Sequence, residues 1–211
     1  MKSLSLGLVG DSLRKSRPEE ALRVLKAHLA SRRRYFWHNE EGILIAQSNL
    51  ALCLNDDLGR HDEALVIRRE VFARRLATCG VSDEWTINSG YNLSSSLRKV
   101  GLQEEARTLV CDQLLPVARR SLGPDHDTTI RLNHSLAATI MRSPECTRND
   151  LCFESTHDPL TCPYTGDDLL EAETIMQDVV RRRRRVLGPA HPETLHAEKV
   201  LSRARAKLAR A

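Results

Sequence analysis

The chain has 211 residues, 41% of them apolar and 28% charged, which excludes wholesale disorder and suits one domain or a short repeat array. Its net charge of +4 is too small to point to nucleic acid by itself, and no run of about 18 apolar residues exists to predict a membrane span. Aromatic residues are only 4% of the chain, while Leu, Ala and Arg, whose unbranched side chains lose little freedom in a helix, abound.

In chain order, the first segment, near 3–15, reads as a degenerate amphipathic helix and not as a leader, since Met1 to Gly10 carries one Lys, a short apolar stretch and no small-x-small cleavage pattern. A helix near 18–36 opens on Pro18-Glu19-Glu20-Ala21 and closes on Arg32 to Arg34. The next helix, near 41–57, contains Asn49-Leu50-Ala51. Gly59-Arg60-His61-Asp62-Glu63-Ala64 then marks a turn and the start of a helix near 61–78. Glycine is cheapest past a helix C-terminus, and the acidic pair suits the unpaired N–H groups of the helix that follows. The pattern returns as a helix near 83–99 with Asn92-Leu93-Ser94, then Gly101-Leu102-Gln103-Glu104-Glu105-Ala106 leading a helix near 103–121. Leu122-Gly123-Pro124-Asp125-His126 ends that helix and introduces another, near 125–141, which carries Ser135-Leu136-Ala137. After residues 142–165, Gly166-Asp167-Asp168-Leu169-Leu170-Glu171-Ala172 opens a helix near 167–186. Leu187-Gly188-Pro189-Ala190-His191-Pro192 leads the last one, near 192–209.

These markers share one period. The glycine block recurs after 42 residues, and the Asn-Leu-Ala echo recurs at intervals of 43. Self-similarity of this kind identifies stacked supersecondary units, none of which can bury its apolar face alone. The expected fold is all-α, a right-handed α-solenoid of antiparallel helix pairs, each an A helix followed by a B helix. The expected organisation is a single array over 1–211. Its units are a degenerate one at 1–36, then 41–78, 83–121 and 125–186 with an inserted loop at 142–165, and a capping helix at 192–211.

Asn49-Leu50-Ala51, Gly59 to Ala64 and Leu187-Gly188-Pro189-Ala190-His191-Pro192-Glu193-Thr194 resemble the kinesin light chain type of tetratricopeptide repeat, over roughly residues 18–211. Two places depart from the pattern: Gly80-Val81-Ser82-Asp83-Glu84-Trp85 replaces the His-Pro signature, and Ser135 stands where a third Asn belongs. No coiled-coil segment for a motor heavy chain is present, so the resemblance concerns the repeat and not the motor subunit. It implies a protein-protein interaction scaffold that binds a peptide or protein segment along a concave surface of A helices. Carried onto this sequence, that groove comprises Ser48, Asn49 and Asn55; Asn88, Tyr91, Asn92, Arg98 and Lys99; Arg131, His134, Ser135 and Arg142; and His196, Lys199, Arg203 and Lys207. The Asn side chains can pin a peptide backbone, and the Arg and Lys toward the C-terminal half would favour an acidic partner. Solvated charges on a terminal helix are the other reading, and a structural or homotypic assembly module is the alternative to a peptide groove.

Three other features were weighed. The segment 142–165 holds Cys146, Cys152, His157 and Cys162, a Cys-x5-Cys-x4-His-x4-Cys spacing without the close ligand pairs of ordinary zinc modules. A plain insertion is therefore expected over a zinc-stabilised one. Arg181 to Arg185 could be a nucleic-acid patch, but Arg32 to Arg34 and Arg119-Arg120 fall at matching places, so basic B-helix ends are a habit of the array and no nucleic acid is expected. No nucleophile elbow, phosphate loop or His-Glu-x-x-His is present; no enzyme activity and no cofactor are expected. His126 and His191 are read as repeat positions, and Trp37 and Trp85 are expected to pack at helix ends. The cysteines, scattered through the chain from Cys53 to Cys162, read as reduced thiols and point to a cytoplasmic protein with no membrane partner.

Overall fold

Every described element is helical, and glycines at 59, 80, 101, 123 and 188 turn the chain between helices that restart within a few residues. The computed structural model describes residues 12–141 and 166–209, which contain no strand. The helices are α1 (Pro18–Tyr35), α2 (Glu40–Leu52), α3 (His61–Cys79), α4 (Glu84–Lys99), α5 (Gln103–Thr108), α6 (Leu115–Ser121), α7 (Asp127–Ile140), α8 (Gly166–Leu187) and α9 (Pro192–Leu208). Connections of a few residues oblige successive helices to run antiparallel. None of the described helices is long and apolar enough to cross a membrane. The chain divides into two units, Met1–Thr78 and Cys79–Ala211.

In the first unit, Leu22, Leu25 and Leu29 of α1 pack with Ile43, Ala46 and Leu50 of α2, and Ala64 of α3 closes the cluster. Asn39 caps α2, its side chain accepting from the Gly42 N–H at 2.8 Å. At its far end α2 widens into a π-helical stretch, Cys53–Asp57, where the Leu58 N–H reaches back five residues to the Cys53 carbonyl. Gly59, at φ 65°, then turns the chain.

In the second unit α5 and α6 are one B helix interrupted by a π-helical stretch, Leu109–Leu114. Pro116 explains the interruption: it donates no N–H, and its ring would crowd the carbonyl one turn back, so the turn before it opens. Helix α4 packs against α5 and α7, α7 against α8, and α8 against α9, so A and B helices alternate through the unit. Ile87, Leu97, Val110, Leu114, Ile130, Leu132, Met176 and Val179 form its interior, all under 2% or at most 2% exposed.

The repeat residues do what their spacing predicts at most positions. Ala21, Ala64 and Ala106, each following an acidic pair, and Ala172, following Glu171, are all completely buried, as close helix approach requires. His126 and His191 are N-caps whose Nδ1 accepts from the Thr128 N–H at 3.3 Å and the Glu193 N–H at 3.2 Å; Asp83 fills the same place before α4. Gly59 and Gly101 adopt positive φ in their turns, and Gly166 opens α8. One expectation fails. Trp37 and Trp85 do not pack; they are 75% and 60% exposed.

Helix α9 differs from its counterparts. Ile87, Gly90, Ser94 and Leu97 of α4 are buried, as are Ile130, Asn133, Ala137 and Ile140 of α7. At the same offsets from the cap, α9 carries Leu195, 52% exposed, then Glu198, Ser202 and Arg205. Three polar side chains make this face of α9 one that water can cover.

Candidate peptide-binding surface

The three caps put α4, α7 and α9 in register, and so bring equal offsets side by side within the second unit. Five residues past the caps stand Asn88, Arg131 and His196; eight past them stand Tyr91, His134 and Lys199. The rows are joined across the helices. The Arg131 guanidinium lies 4.3 Å over the Tyr91 ring, Ser94 and Ser135 share a hydrogen bond at 3.3 Å, and the His134 and His196 rings are 5.6 Å apart. Asn88, Tyr91, Asn92, Arg131 and His134 are half-buried, whereas His196 and Lys199 are exposed. Neither row contains an acid, although Asp127 lies 3.7 Å from Arg131 at its edge. A surface of amides, aromatic faces and cations of this kind can hold a peptide backbone and attract carboxylates.

The other proposed groove residues are distributed differently. Asn55 is buried in the π-helical stretch, where it donates to Asp56 at 2.6 Å and lies 3.2 Å from His61 Nδ1, so its side chain serves the turn. Ser135 is 1% exposed and spent on Ser94. Arg98 and Lys99 are half-buried at the end of α4, where the Arg98 carbonyl accepts from Gln103. Arg203 is half-buried one turn beyond Lys199, and Asn49 is half-buried on α2 of the first unit, with Ser48 beside it. Arg142 lies outside the described residues, as do Cys146, Cys152, His157 and Cys162. Among the described residues no group of three His, Cys, Asp or Glu could hold a metal.

His134 is the electrostatically unusual member. Its Nε2 is buried without a hydrogen-bond partner, and burial, reinforced by the charges of Arg183, His196 and Arg98, pushes its pKa down to about 3. The ring is neutral at pH 7. Asn88 Oδ1 is likewise buried and unpaired.

Sequence reasoning assigned the arginine run only to a helix end; the structure gives it a second task. Arg181 bonds Asp178, and Arg182 bridges Asp178 and Asp125, both at 2.6 Å. Arg183, almost fully buried, donates to the Glu193 carbonyl at 2.8 Å and meets its carboxylate at 3.1 Å. Arg184 bonds Glu198 at 2.7 Å, and Arg185 bonds Asp125. These hydrogen bonds from Arg185 and Arg182 hold the Asp125 carboxyl below the usual carboxylate range. The first unit repeats the device, with Arg74 on Glu40 at 3.2 Å and Arg75 on Glu41 at 2.8 Å. Basic B-helix ends thus grip the acidic starts of A helices. The signal available in the sequence was the pairing of Arg-rich ends with Glu40-Glu41 and Glu193.

Comparison with known proteins agrees with this geometry. Residues 167–193 match a tetratricopeptide repeat family model. No curated protein sequence matches the chain. Among solved structures, a protein of Podosopora anserina assigned as a kinesin light chain, with nearly identical TPR-like repeats, superposes with a TM-score of 0.73 at 19% identity, covering 99% of this chain and 87% of that one. A second structure of those repeats gives 0.71 at 18% identity, covering 99% and 88%. BtubC (BKLC) from P. vanneervenii gives 0.55 at 15% identity, covering 97% and 78%. The helix pairs, their caps and these likenesses together give the chain the fold of tetratricopeptide-like helical repeats, as in the kinesin light chain-like repeat structures.

Proposed function

We propose that the chain is a protein-interaction scaffold whose A-helix face in the second unit binds an extended, acidic peptide segment. The observation that carries this reading is the pair of acid-free rows Asn88–Arg131–His196 and Tyr91–His134–Lys199, brought together by one cap register. A peptide lying across them would cross three helices, its backbone meeting Asn88 and Asn92 and its carboxylates meeting Arg131, Lys199 and Arg203. The repeat fold supports a scaffold over a catalyst. The zinc-stabilised insertion would rest on residues 142–165, outside the described part of the chain.

Pools of labelled acidic and basic peptides, offered to the full chain and to an Asn88→Ala, Arg131→Ala, Lys199→Ala variant, test the reading. The acidic pool should bind and the variant should weaken it by about tenfold or more, as loss of several partly exposed polar contacts implies. Equal binding of both pools, or capture that survives all three changes, would reject the groove. A variant that loses only self-association would favour the homotypic alternative.

A further inference from the structure

Four exposed arginines of the second unit cluster away from the proposed groove. A channel of 780 Å³ runs between α8 and α9, rimmed by Arg181, Arg184, Arg185 and Arg205, with Val180 and Leu201 beneath and Glu198 the one acid in its wall. On α9, Leu201 and Arg205 are two residues beyond Lys199 and Arg203, about 200° around the helix, so the channel and the groove use opposite faces. We propose that this channel is a separate docking site for an acidic peptide segment.

Four observations support the choice of occupant. Side chains of Arg181, Arg184, Arg185 and Arg205 are 75%, 58%, 61% and 56% exposed, so their charge reaches solvent. Each meets its acid, Asp178, Glu198, Asp125 or Glu173, through a single guanidinium nitrogen, which leaves most of its five N–H donors for another acceptor. Those ion pairs also fix the forks in place, which lowers the ordering cost of capturing a ligand. Gln177 to Arg185 spans about 12 Å of helix, the reach of about four extended residues, so the charge is spread for a run of carboxylates and not focused on one phosphate. Val180 and Leu201 are only 6% and 8% exposed, so little apolar surface is left to reward a greasy helix. The chemistry points to charge.

The test uses the full chain and fluorescein-labelled hexaglutamate, read by anisotropy at low and at physiological salt. Binding should weaken with salt, and Arg181→Gln with Arg185→Gln should lower affinity by about fivefold or more, while Arg23→Gln with Arg120→Gln, two exposed arginines outside both surfaces, leaves most of it. All four side chains are at or near the surface, and an unchanged far-UV spectrum confirms the fold of each variant. The proposal is overturned if hexaglutamate fails to bind at low salt or if the channel variant binds as well as the parent. It is equally overturned if the Arg23 and Arg120 changes weaken binding as much as the channel changes do. Pyrophosphate displacing the peptide far more effectively than unlabelled hexaglutamate would also overturn it, by making the occupant a phosphate. The groove reading stands or falls separately, on Asn88 and Arg131.

Discussion

His134 should make the protein measurably less stable as the pH falls through a range in which its carboxylates are still ionised. Its pKa drops from 6.5 to about 3 on folding, because Nε2 is buried and the surrounding charges of Arg183, His196 and Arg98 are all positive. The native state therefore refuses a proton that the unfolded chain accepts. Its contribution is complete above about pH 6.5 and is lost progressively toward pH 3, at up to 1.4 kcal/mol per pH unit. Between pH 7.5 and pH 5 the loss comes to about 2 kcal/mol, a figure that requires only that the folded pKa lie well below 5. Asp125 and Glu173, held down by Arg185 and Arg205, titrate ordinarily at 3.8 and 4.5 and so contribute mainly below this window. Urea unfolding at the two pH values, on the parent and on His134→Gln, isolates the effect. Gln cannot take a proton, so the parent should lose about 2 kcal/mol more than the variant. Equal losses in the two proteins would refute the assignment of a neutral, strained histidine to this position.

Two further outcomes follow from packing. Ile130 and Leu195 occupy the same repeat position, yet one is 2% and the other 52% exposed; Ile130→Ala should cost about 2–4 kcal/mol in chemical unfolding, and Leu195→Ala about 0.5 kcal/mol or less. Arg183→Ala removes a nearly buried side chain and its bond to the Glu193 carbonyl; a loss of about 2 kcal/mol should appear in thermal unfolding, with faster amide exchange over the first turn of α9.

The helices were legible because their limits are written in local chemistry. Expected segments at 61–78, 103–121 and 192–209 correspond to helices starting at His61, Gln103 and Pro192, since acidic first turns, N-caps and glycines act over a few residues. The π-helical stretches were not. Only Pro116 hints at one of them, and nothing in Cys53 to Asp57 marks the other, because a widened turn depends on what packs against it. For the same reason the fate of individual groove residues escaped the sequence. Repeat register pairs Asn55 with Arg98, 43 residues on, but the widened turn draws Asn55 inward to Asp56 and His61 while Arg98 stays half-buried at the end of α4. The tryptophans run against the usual burial of aromatic residues: Trp85 lies two residues past its cap, where the smaller Thr128 is buried in the next repeat, yet its own side chain is 60% exposed.

The polar face of α9 also bears on what can settle against it. A stack of helix pairs is by nature an open ladder, and an apolar face left bare on any rung invites another helix onto it. Where α4 and α7 offer Leu97 and Ile140, α9 offers Arg205, tied to Glu173, with Glu198 tied to Arg184 close by. An apolar helix settling there would have to bury both ion pairs dry, at a cost larger than the methylenes it could cover. Whatever packs on this face of α9 has to bring polar groups of its own.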